Sequence, residues 1–148
     1  MRLSTKARYA MRLMVELALH QKNGPVLLKD IARRQEISAR YLEQLILDLK
    51  AAGLVKSIRG AKGGFLLARP PKEITLLEIF QASEGPILLM ECLENDTICR
   101  RSPFCACREL WQEMRDTLKG VLNRYSLTDL SGKERKKPEE KGQAMYYI

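Results

Sequence analysis

Residues 37–68, with the sequence ISARYLEQLILDLKAAGLVKSIRGAKGGFLLA, constrain the fold most, because helix and strand patterns follow one another there without a gap. Ser38 is a favourable N-cap residue, and the apolar residues after it keep the spacing of one buried helical stripe. These residues are Leu42, Leu45, Ile46 and Leu49. Gly53 stands where a helix commonly ends, and the residues that follow it favour a strand. The pattern therefore predicts a helix from Ser38 and a strand after Gly53.

Residues 59–64, RGAKGG, predict a tight turn between that strand and a second strand beginning at Phe65. The glycines permit a close approach of backbone segments, while Arg59 and Lys62 place positive charge at the tip, as a wing lying over phosphates requires. We interpret the whole stretch as a winged helix. Taken alone, it is equally consistent with an amphipathic helix and a charged surface hairpin.

The basic charge of the chain is concentrated in its first half. The net charge is +8, but residues 1–69 carry 14 Lys/Arg against 5 Asp/Glu, whereas residues 70–148 carry 12 against 13. Neutralisation of phosphates with release of counterions supplies most non-specific affinity for nucleic acids, so the first half is expected to bind a polyanion. A basic surface that only aids solubility is the alternative.

Two helices are predicted before the wing's helix. Ser4 or Thr5 caps the first, whose apolar positions are Ala10, Leu13, Met14, Leu17 and Ala18, with Arg8, Arg12 and Glu16 on or near its polar side and His20, the only histidine, at its end. The second spans Leu28–Gln35, and only two residues separate it from Ser38. Helices joined by so short a turn form a helix-turn-helix, in which the start of the second helix enters the major groove.

This geometry identifies candidate DNA-binding residues on the helix after Ser38 and on the wing. They are Ser38, Arg40, Tyr41, Glu43, Gln44, Arg59 and Lys62. We expect Arg40 to bind a guanine edge or a phosphate, Gln44 an adenine, and Ser38 and Tyr41 phosphate oxygens. Glu43 either accepts from cytosine N4 or repels the backbone at wrong sites; an exposed or internally paired carboxylate is the alternative.

After the wing, Thr75 and Glu78 form a capping-box pattern that predicts a helix from Leu76 to about Ser83. Residues 1–84 are thus assigned to a winged helix-turn-helix domain. Residues 85–107 are expected to form a short helix at residues 87–90 and a cysteine-rich loop.

All four cysteines, Cys92, Cys99, Cys105 and Cys107, fall within this second segment. A shared ligand explains the clustering economically, but the spacing C-x6-C-x5-C-x-C lacks the CxxC pairs of typical zinc sites and bacterial ferredoxins. Neighbouring arginines favour thiolates, which suits either metal binding or redox reactivity. A metal site, a thiol switch and idle cysteines all remain open.

A long helix from about residue 107 to residue 126 is predicted next. Its apolar positions form a heptad-like seam: Trp111, Met114, Leu118, Val121 and Tyr125. We assign residues 108–130 to a dimerisation helix, with burial against its own domain as the alternative, and residues 131–148 to a flexible charged tail. A dimer suits a helix-turn-helix protein, because two-fold symmetry matches palindromic DNA half-sites.

Other classes of protein are disfavoured. No apolar run is long enough to span a bilayer, and the N-terminus lacks the apolar core of a signal peptide, so we expect a cytoplasmic protein with no membrane partner. An enzyme is also disfavoured, because His20 lies in no catalytic or metal-binding motif and no glycine-rich phosphate-binding loop opens a helix. An electron-transfer protein would leave the basic first half unexplained.

The helix-turn-helix, the wing and the cysteine loop together resemble the iron–sulfur cluster regulator family of winged-helix transcription factors. Residues 37–69 and the sequence ITLLEIFQASEGPI at residues 74–87 carry the resemblance, which extends over residues 1 to about 126. It implies a mainly α fold with a small β-hairpin wing and a dimeric bacterial DNA-binding regulator. In the cluster-binding branches it also implies an iron–sulfur cluster, with Cys92, Cys99 and Cys105 as ligands.

The chain departs from the family at the fourth ligand. Where one branch has a histidine three residues beyond the last cysteine, this chain has Arg108; where another takes an acid from the partner's first helix, it has Arg8. Neither arginine will bind iron, so Cys107 is the candidate substitute, provided that a loop or the start of a helix turns it toward Cys105. A ligand from outside the chain or from the partner chain is the alternative.

These observations predict a homodimeric repressor that binds a palindromic operator in double-stranded DNA. Its DNA binding is expected to respond to a 2Fe–2S cluster in the cysteine loop, and so to iron–sulfur status, oxidants or nitric oxide. The alternative is a regulator whose cysteines bind zinc or act without a metal as a thiol switch, for example in the control of cysteine or sulfur metabolism.

Overall fold

The computed structural model describes residues 2–137, which form a mainly helical fold with one antiparallel β-hairpin. The elements are α1 (Thr5–His20), α2 (Leu28–Gln35), α3 (Ala39–Ala51), β1 (Val55–Ile58), β2 (Gly64–Leu67), α4 (Leu76–Glu84), α5 (Ala106–Arg124) and α6 (Leu127–Arg135). Single 3₁₀ turns occur at Gln21–Asn23, Pro71–Glu73, Glu91–Leu93, Asp96–Ile98 and Ser102–Phe104. Among these residues, no helix is both long and apolar enough to cross a membrane.

Side-chain caps start α1, α3 and α4 where the sequence predicted. The Ser4 hydroxyl accepts from the backbone N–H of Ala7, and the Ser38 hydroxyl accepts from that of Tyr41, each at 3.1 Å. Thr75 and Glu78 form both halves of a capping box. These bonds satisfy N–H groups that a helix start otherwise leaves without a partner, so the three predicted starts are confirmed.

The turn between α2 and α3 is as short as the sequence predicted. Glu36 adopts the left-handed conformation, with φ 54°, and the Ile37 N–H donates to the Ala32 carbonyl at 3.1 Å. The side chain of Ile37 is buried beneath this turn. The two helices therefore form the expected helix-turn-helix.

The wing pairs β1 with β2, from Val55 opposite Leu67 to Ile58 opposite Gly64. Val26 pairs with Phe65 on the other side of β2, through two backbone hydrogen bonds of 2.9 Å. A Cβ atom at Gly64 would lie 2.6 Å from the Val26 carbonyl oxygen, closer than packed atoms allow. The close approach that the glycine-rich turn predicted is confirmed at Gly64.

A single apolar core lies beneath the helix-turn-helix and the wing. It joins α1 and α3 to α4, β1, β2 and α6, and its largest fully buried side chains are Leu13, Met14, Leu17, Ile31, Leu42, Leu45, Leu49, Leu54, Ile74, Ile79 and Leu127. The stripe predicted on α3 is buried as expected. Burial of each such side chain contributes roughly 1.5–3 kcal/mol to folding.

The region after α4 differs from the prediction in two places. Residues 87–90 do not form the predicted helix, and Leu88 and Met90 remain exposed instead of packing. The predicted long helix ends at Arg124, and α6 then folds back onto α1. Helix α6 starts at a capping box formed by Ser126 and Asp129.

Part of the predicted tail therefore belongs to the folded domain. The Leu127 N–H donates to the Ile74 carbonyl at 2.8 Å, and the Leu76 N–H donates to the Tyr125 carbonyl at 3.0 Å. Ser131, the first residue of the predicted tail, is buried within α6. The prediction of a flexible chain from residue 131 is wrong as far as Arg135. Residues 138–148, which include the apolar end at residues 144–148, lie outside the described residues.

Candidate DNA-binding surface and cysteine loop

The exposed face of α3 carries most of the predicted DNA-binding residues. Ser38, Arg40, Glu43 and Gln44 are exposed, whereas the opposite face of the helix is buried in the core. At the end of α3 the Lys50 ammonium donates to the Ser57 hydroxyl of β1 at 3.0 Å, which ties the helix to the wing. Arg59 and Lys62 are exposed at the wing tip.

Tyr41 occupies a different environment from its predicted neighbours. Its half-buried ring packs edge-to-face on the ring of Tyr9, with the centroids 5.7 Å apart and the planes at 82°. The guanidinium groups of Arg8 and Arg12 lie 5.6 and 5.4 Å from the Tyr9 centroid. Tyr41 thus fastens the first turn of α3 to α1, and its contact with phosphate stays a prediction.

A salt bridge fixes the other end of α3 to α1. The Lys6 ammonium lies 2.8 Å from the Asp48 carboxylate. The hydrogen bond with Asp48 raises the pKa of Lys6, an effect that partial desolvation opposes. Helix α3 therefore contacts α1 near both of its ends.

A polar network between α1 and α2 was missed by the sequence argument, which placed Glu16 on or near the polar side of α1. The Glu16 side chain is only 6% exposed. Its carboxylate accepts from Arg34 Nε at 2.8 Å and from Gln35 Nε2 at 2.6 Å, and it lies 3.5 Å from His20 Nε2. Arg12 in turn donates to the side chain and the backbone of Gln35. An acid inside the apolar run Leu13–Ala18 was the available signal.

The cysteine loop, residues 91–105, consists of three successive 3₁₀ turns. Cys92 lies in the first, Cys99 follows the second, and Cys105 occupies the N-cap position of α5 without a side-chain cap bond. These three thiols are half-buried, whereas Cys107, in the first turn of α5, is exposed. Helix α5 thus begins between Cys105 and Cys107, which is one of the two backbone geometries required for both thiols to bind one ligand.

The four cysteines do not form a ready-made metal site. Within residues 2–137, no three side chains of the metal-binding types Cys, His, Asp and Glu converge on one point. Arg108 instead reaches into the loop, where its Nε donates to the Cys92 carbonyl at 3.1 Å and its Nη2 to the Asp96 carboxylate. Arg115 lies about two turns after Arg108 on α5, and its Nη1 donates to the Glu94 carboxylate at 2.9 Å.

Helix α5 presents an apolar face to solvent. None of its residues is buried within the described part of the chain, and Leu110, Met114 and Val121 are each at least 41% exposed. Of the predicted seam, Trp111, Leu118 and Tyr125 are half-buried. The seam therefore exists on α5, but its own domain covers it only in part.

Comparison with known proteins decides the family. A family model described as Rrf2, iron-dependent transcriptional regulator, matches residues 3–133. The chain belongs to the Rrf2 family.

Relatives of this Rrf2 protein include regulators with different names. It is 45% identical over 131 residues to the HTH-type transcriptional regulator CymR of Bacillus subtilis (strain 168), covering 88% of this chain and 90% of that protein. It is 40% identical over 130 residues to the HTH-type transcriptional regulator IscR of Photorhabdus laumondii, covering 88% and 79%. The solved structure of CymR, the global cysteine regulator of B. subtilis, superposes with a TM-score of 0.76 over 89% of this chain and 97% of that one.

These relationships confirm the predicted family and the winged helix-turn-helix fold. The relatives are DNA-binding transcriptional regulators, so the expectation that the Rrf2 protein is not an enzyme is also confirmed. Cluster sensing and a thiol switch are not distinguished, because both CymR and IscR are among the relatives.

Proposed function

We propose that this Rrf2 protein is a homodimeric repressor that places α3 in the major groove of a palindromic operator and the wing tip along the phosphate backbone. The exposed polar face of α3, with Ser38, Arg40, Glu43 and Gln44 beside one another, is the observation that carries the proposal. A recognition helix needs such a face opposite a buried one, because the core must orient it before it can read base edges. Arg59 and Lys62 supply the sequence-independent contacts.

The homodimer is proposed from the apolar face of α5. A helix of 19 residues without a buried side chain is unusual in a folded domain unless a partner covers it. The partly exposed Met114 and Val121 lie seven residues apart, as positions of one coiled-coil seam do. A second copy of the chain is the partner that would also pair two recognition helices with two half-sites.

We further propose that the cysteine loop is the sensing element, with Cys92, Cys99 and Cys105 as ligands of a 2Fe–2S cluster. The donor chemistry supports three ligands, since the three half-buried thiols share one short loop. The arrangement itself does not assemble them, and the fourth position offers only the exposed Cys107 beside the cation Arg108. A bound cluster would supply sensitivity to iron–sulfur status, oxidants or nitric oxide.

A thiol switch without a cluster is the second candidate function. It is favoured by the dispersed thiols and by the interaction of Arg108 with the Cys92 carbonyl. The 45% identity to CymR, the global cysteine regulator of B. subtilis, also favours a role linked to cysteine metabolism. Cys107 is then the first candidate for oxidation, because exposed thiols react first.

An ultraviolet–visible spectrum with iron and sulfide analysis, on protein prepared without oxygen, separates these candidates. A cluster gives visible absorption with about two irons and two sulfides per chain, and Cys92→Ala should abolish the absorption while leaving a folded dimer. Colourless, iron-free protein that loses DNA affinity on oxidation would establish the thiol switch instead. If neither cluster nor oxidation changes DNA binding, the loop is not the sensor.

A further inference from the structure

Two arginines of α5, Arg108 and Arg115, attach the cysteine loop to the helix, and we call them the arginine clamp. Arg108 contacts both the Cys92 carbonyl, at 3.1 Å, and the Asp96 carboxylate, while Arg115 contacts the Glu94 carboxylate at 2.9 Å. The two arginines are about two helical turns apart and so lie on the same side of α5. The clamp thereby contacts the loop at three residues, Cys92, Glu94 and Asp96.

The clamp is the principal long-range attachment of this part of the loop. The other backbone hydrogen bonds of the loop join residues only three or four positions apart, as from Leu93 to Met90 or from Ser102 to Cys99. Apolar packing contributes little at its edges, since Ile98 is 55% and Phe104 is 90% exposed. Among the described residues, the clamp supplies the side-chain hydrogen bonds and ion pairs that join the loop to α5.

The burial of the two arginines makes the attachment stronger than an ordinary surface ion pair. Their side chains are only 25% and 14% exposed, although Asp96 and Glu94 reach into solvent. Exposed pairs contribute little to stability, but a charged donor that bonds a backbone carbonyl also fixes the main chain at that residue. Arg108 thus positions the backbone of Cys92 itself.

We propose that the arginine clamp keeps the cysteine loop folded without any bound metal or cluster and thereby restricts reagents from reaching Cys92 and Cys99. The proposal deepens the proposed function, because it assigns the resting state of the sensing loop to residues of the chain itself. Full exposure of these half-buried thiols then requires the loop to leave α5, which breaks the contacts of Arg108. Local opening of this kind has its own free energy, separate from global unfolding.

The test measures how fast each cysteine is alkylated in the full-length protein, without DNA. Protein treated with a chelator and verified as iron-free is pulsed with N-ethylmaleimide, and each cysteine is quantified by peptide mass spectrometry. Wild-type protein should label Cys107 fastest and Cys92 and Cys99 more slowly. Arg108→Ala should accelerate Cys92 by about tenfold, the effect of losing one charge-assisted hydrogen bond, and Arg115→Ala should give a smaller increase.

Two further variants serve as controls. Arg108→Lys keeps the charge but lacks the planar fork that contacts a carbonyl and a carboxylate together, so its Cys92 should also label faster than in wild type. Arg101→Ala removes an exposed arginine of the same loop, distant in sequence from Cys92, and should leave the Cys92 rate close to that of wild type. Thermal unfolding of each variant separates local opening from a loss of the fold.

Equal Cys92 labelling in wild type, Arg108→Ala and Arg108→Lys would overturn the proposal. So would iron-free wild-type protein in which Cys92 labels as fast as Cys107, because the loop would then depend on a metal for its fold. Neither outcome bears on DNA binding or on dimer formation, which are measured separately. A protein that fails to bind DNA therefore contradicts the proposed function and leaves the clamp's own test intact.

Discussion

Neutralising the wing tip should weaken the salt dependence of DNA binding by a calculable amount. Arg59 and Lys62 are exposed, and neither has an acidic partner among the described residues, so both are free to contact phosphates. In a homodimer the variant Arg59→Ala/Lys62→Ala removes about four such contacts. Each contact contributes about 0.9 to the slope of log K against log [salt]. The slope should therefore fall by about 3 to 4.

This change is large enough to measure without knowledge of the operator. Between about 50 and 200 mM salt, a slope difference of 3 to 4 corresponds to roughly a hundredfold difference in lost affinity. Fluorescence anisotropy with a labelled duplex of random sequence, titrated at several potassium chloride concentrations, gives both slopes directly. The turn lies outside the core, so the thermal unfolding midpoint should stay within a few degrees of wild type.

A matched control removes two exposed cations that lie outside the helix-turn-helix and the wing. Lys72 follows the wing and Arg100 lies in the cysteine loop, and both are exposed. The variant Lys72→Ala/Arg100→Ala has the same net charge as the wing variant but should retain most of the wild-type slope. Equal slopes for wild type and the wing variant would refute the assignment of the wing tip to phosphates.

Four further predictions concern the core, the dimer, specificity and pH. Leu127→Ala should destabilise the protein by about 2–5 kcal/mol in urea unfolding, because the Leu127 side chain is fully buried. The control Leu3→Ala, at an exposed position, should change stability by under about 0.5 kcal/mol, and equal effects of the two variants would place α6 outside the core. Met114→Glu should convert dimers to monomers in sedimentation velocity while the exposed Glu113→Gln does not, and a dimeric Met114→Glu protein would rule out this face. Glu43→Ala should change which sequences are selected from a random DNA library, and an unchanged selection would remove Glu43 from the specificity determinants. Partial burial raises the pKa of Glu78, but hydrogen bonds from the Thr75 backbone and Arg69 outweigh this effect and hold the pKa below its ordinary value of 4.5. The ionised carboxylate therefore stabilises the fold above pH 4.5, and the difference in unfolding free energy between wild type and Glu78→Gln should shrink as the pH falls below 4.5.

Short-range patterns predicted most of the DNA-binding domain. Ser4, Ser38 and Thr75 cap helices through bonds to residues three positions away, so the sequence itself contains both partners. The helical stripe of α3 and the wing glycines are equally local. The same local logic found the capping box at Thr75 but overlooked the one at Ser126, which lies within the span assigned to the dimerisation helix.

The two features that the sequence did not predict, the burial of Glu16 and the packing of α6, share a different cause. Burial of the Glu16 carboxylate is tolerated because Arg34 and Gln35, 18 and 19 residues away, donate hydrogen bonds to it. A local sequence pattern cannot predict partners at that separation. The second half of helix α6, from Ser131 onward, was assigned to a tail because its charge suggested solvation, yet Ser131 is buried and Leu127, at the start of the helix, belongs to the core.

The family, the helix-turn-helix and the wing follow from the amino-acid sequence alone, because each rests on adjacent residues or on a recognisable motif, whereas the residues assigned to DNA contacts stay a prediction. The way in which the cysteine loop is attached to α5 is visible only in the folded structure. The loop contains the thiols that the sequence singled out, but Arg108 and Arg115 reach it from α5, 16 positions from Cys92 and 21 from Glu94. Contacts over such separations form only when folding brings the loop and α5 together, because a single contact does not offset the conformational entropy lost in ordering the residues between its partners.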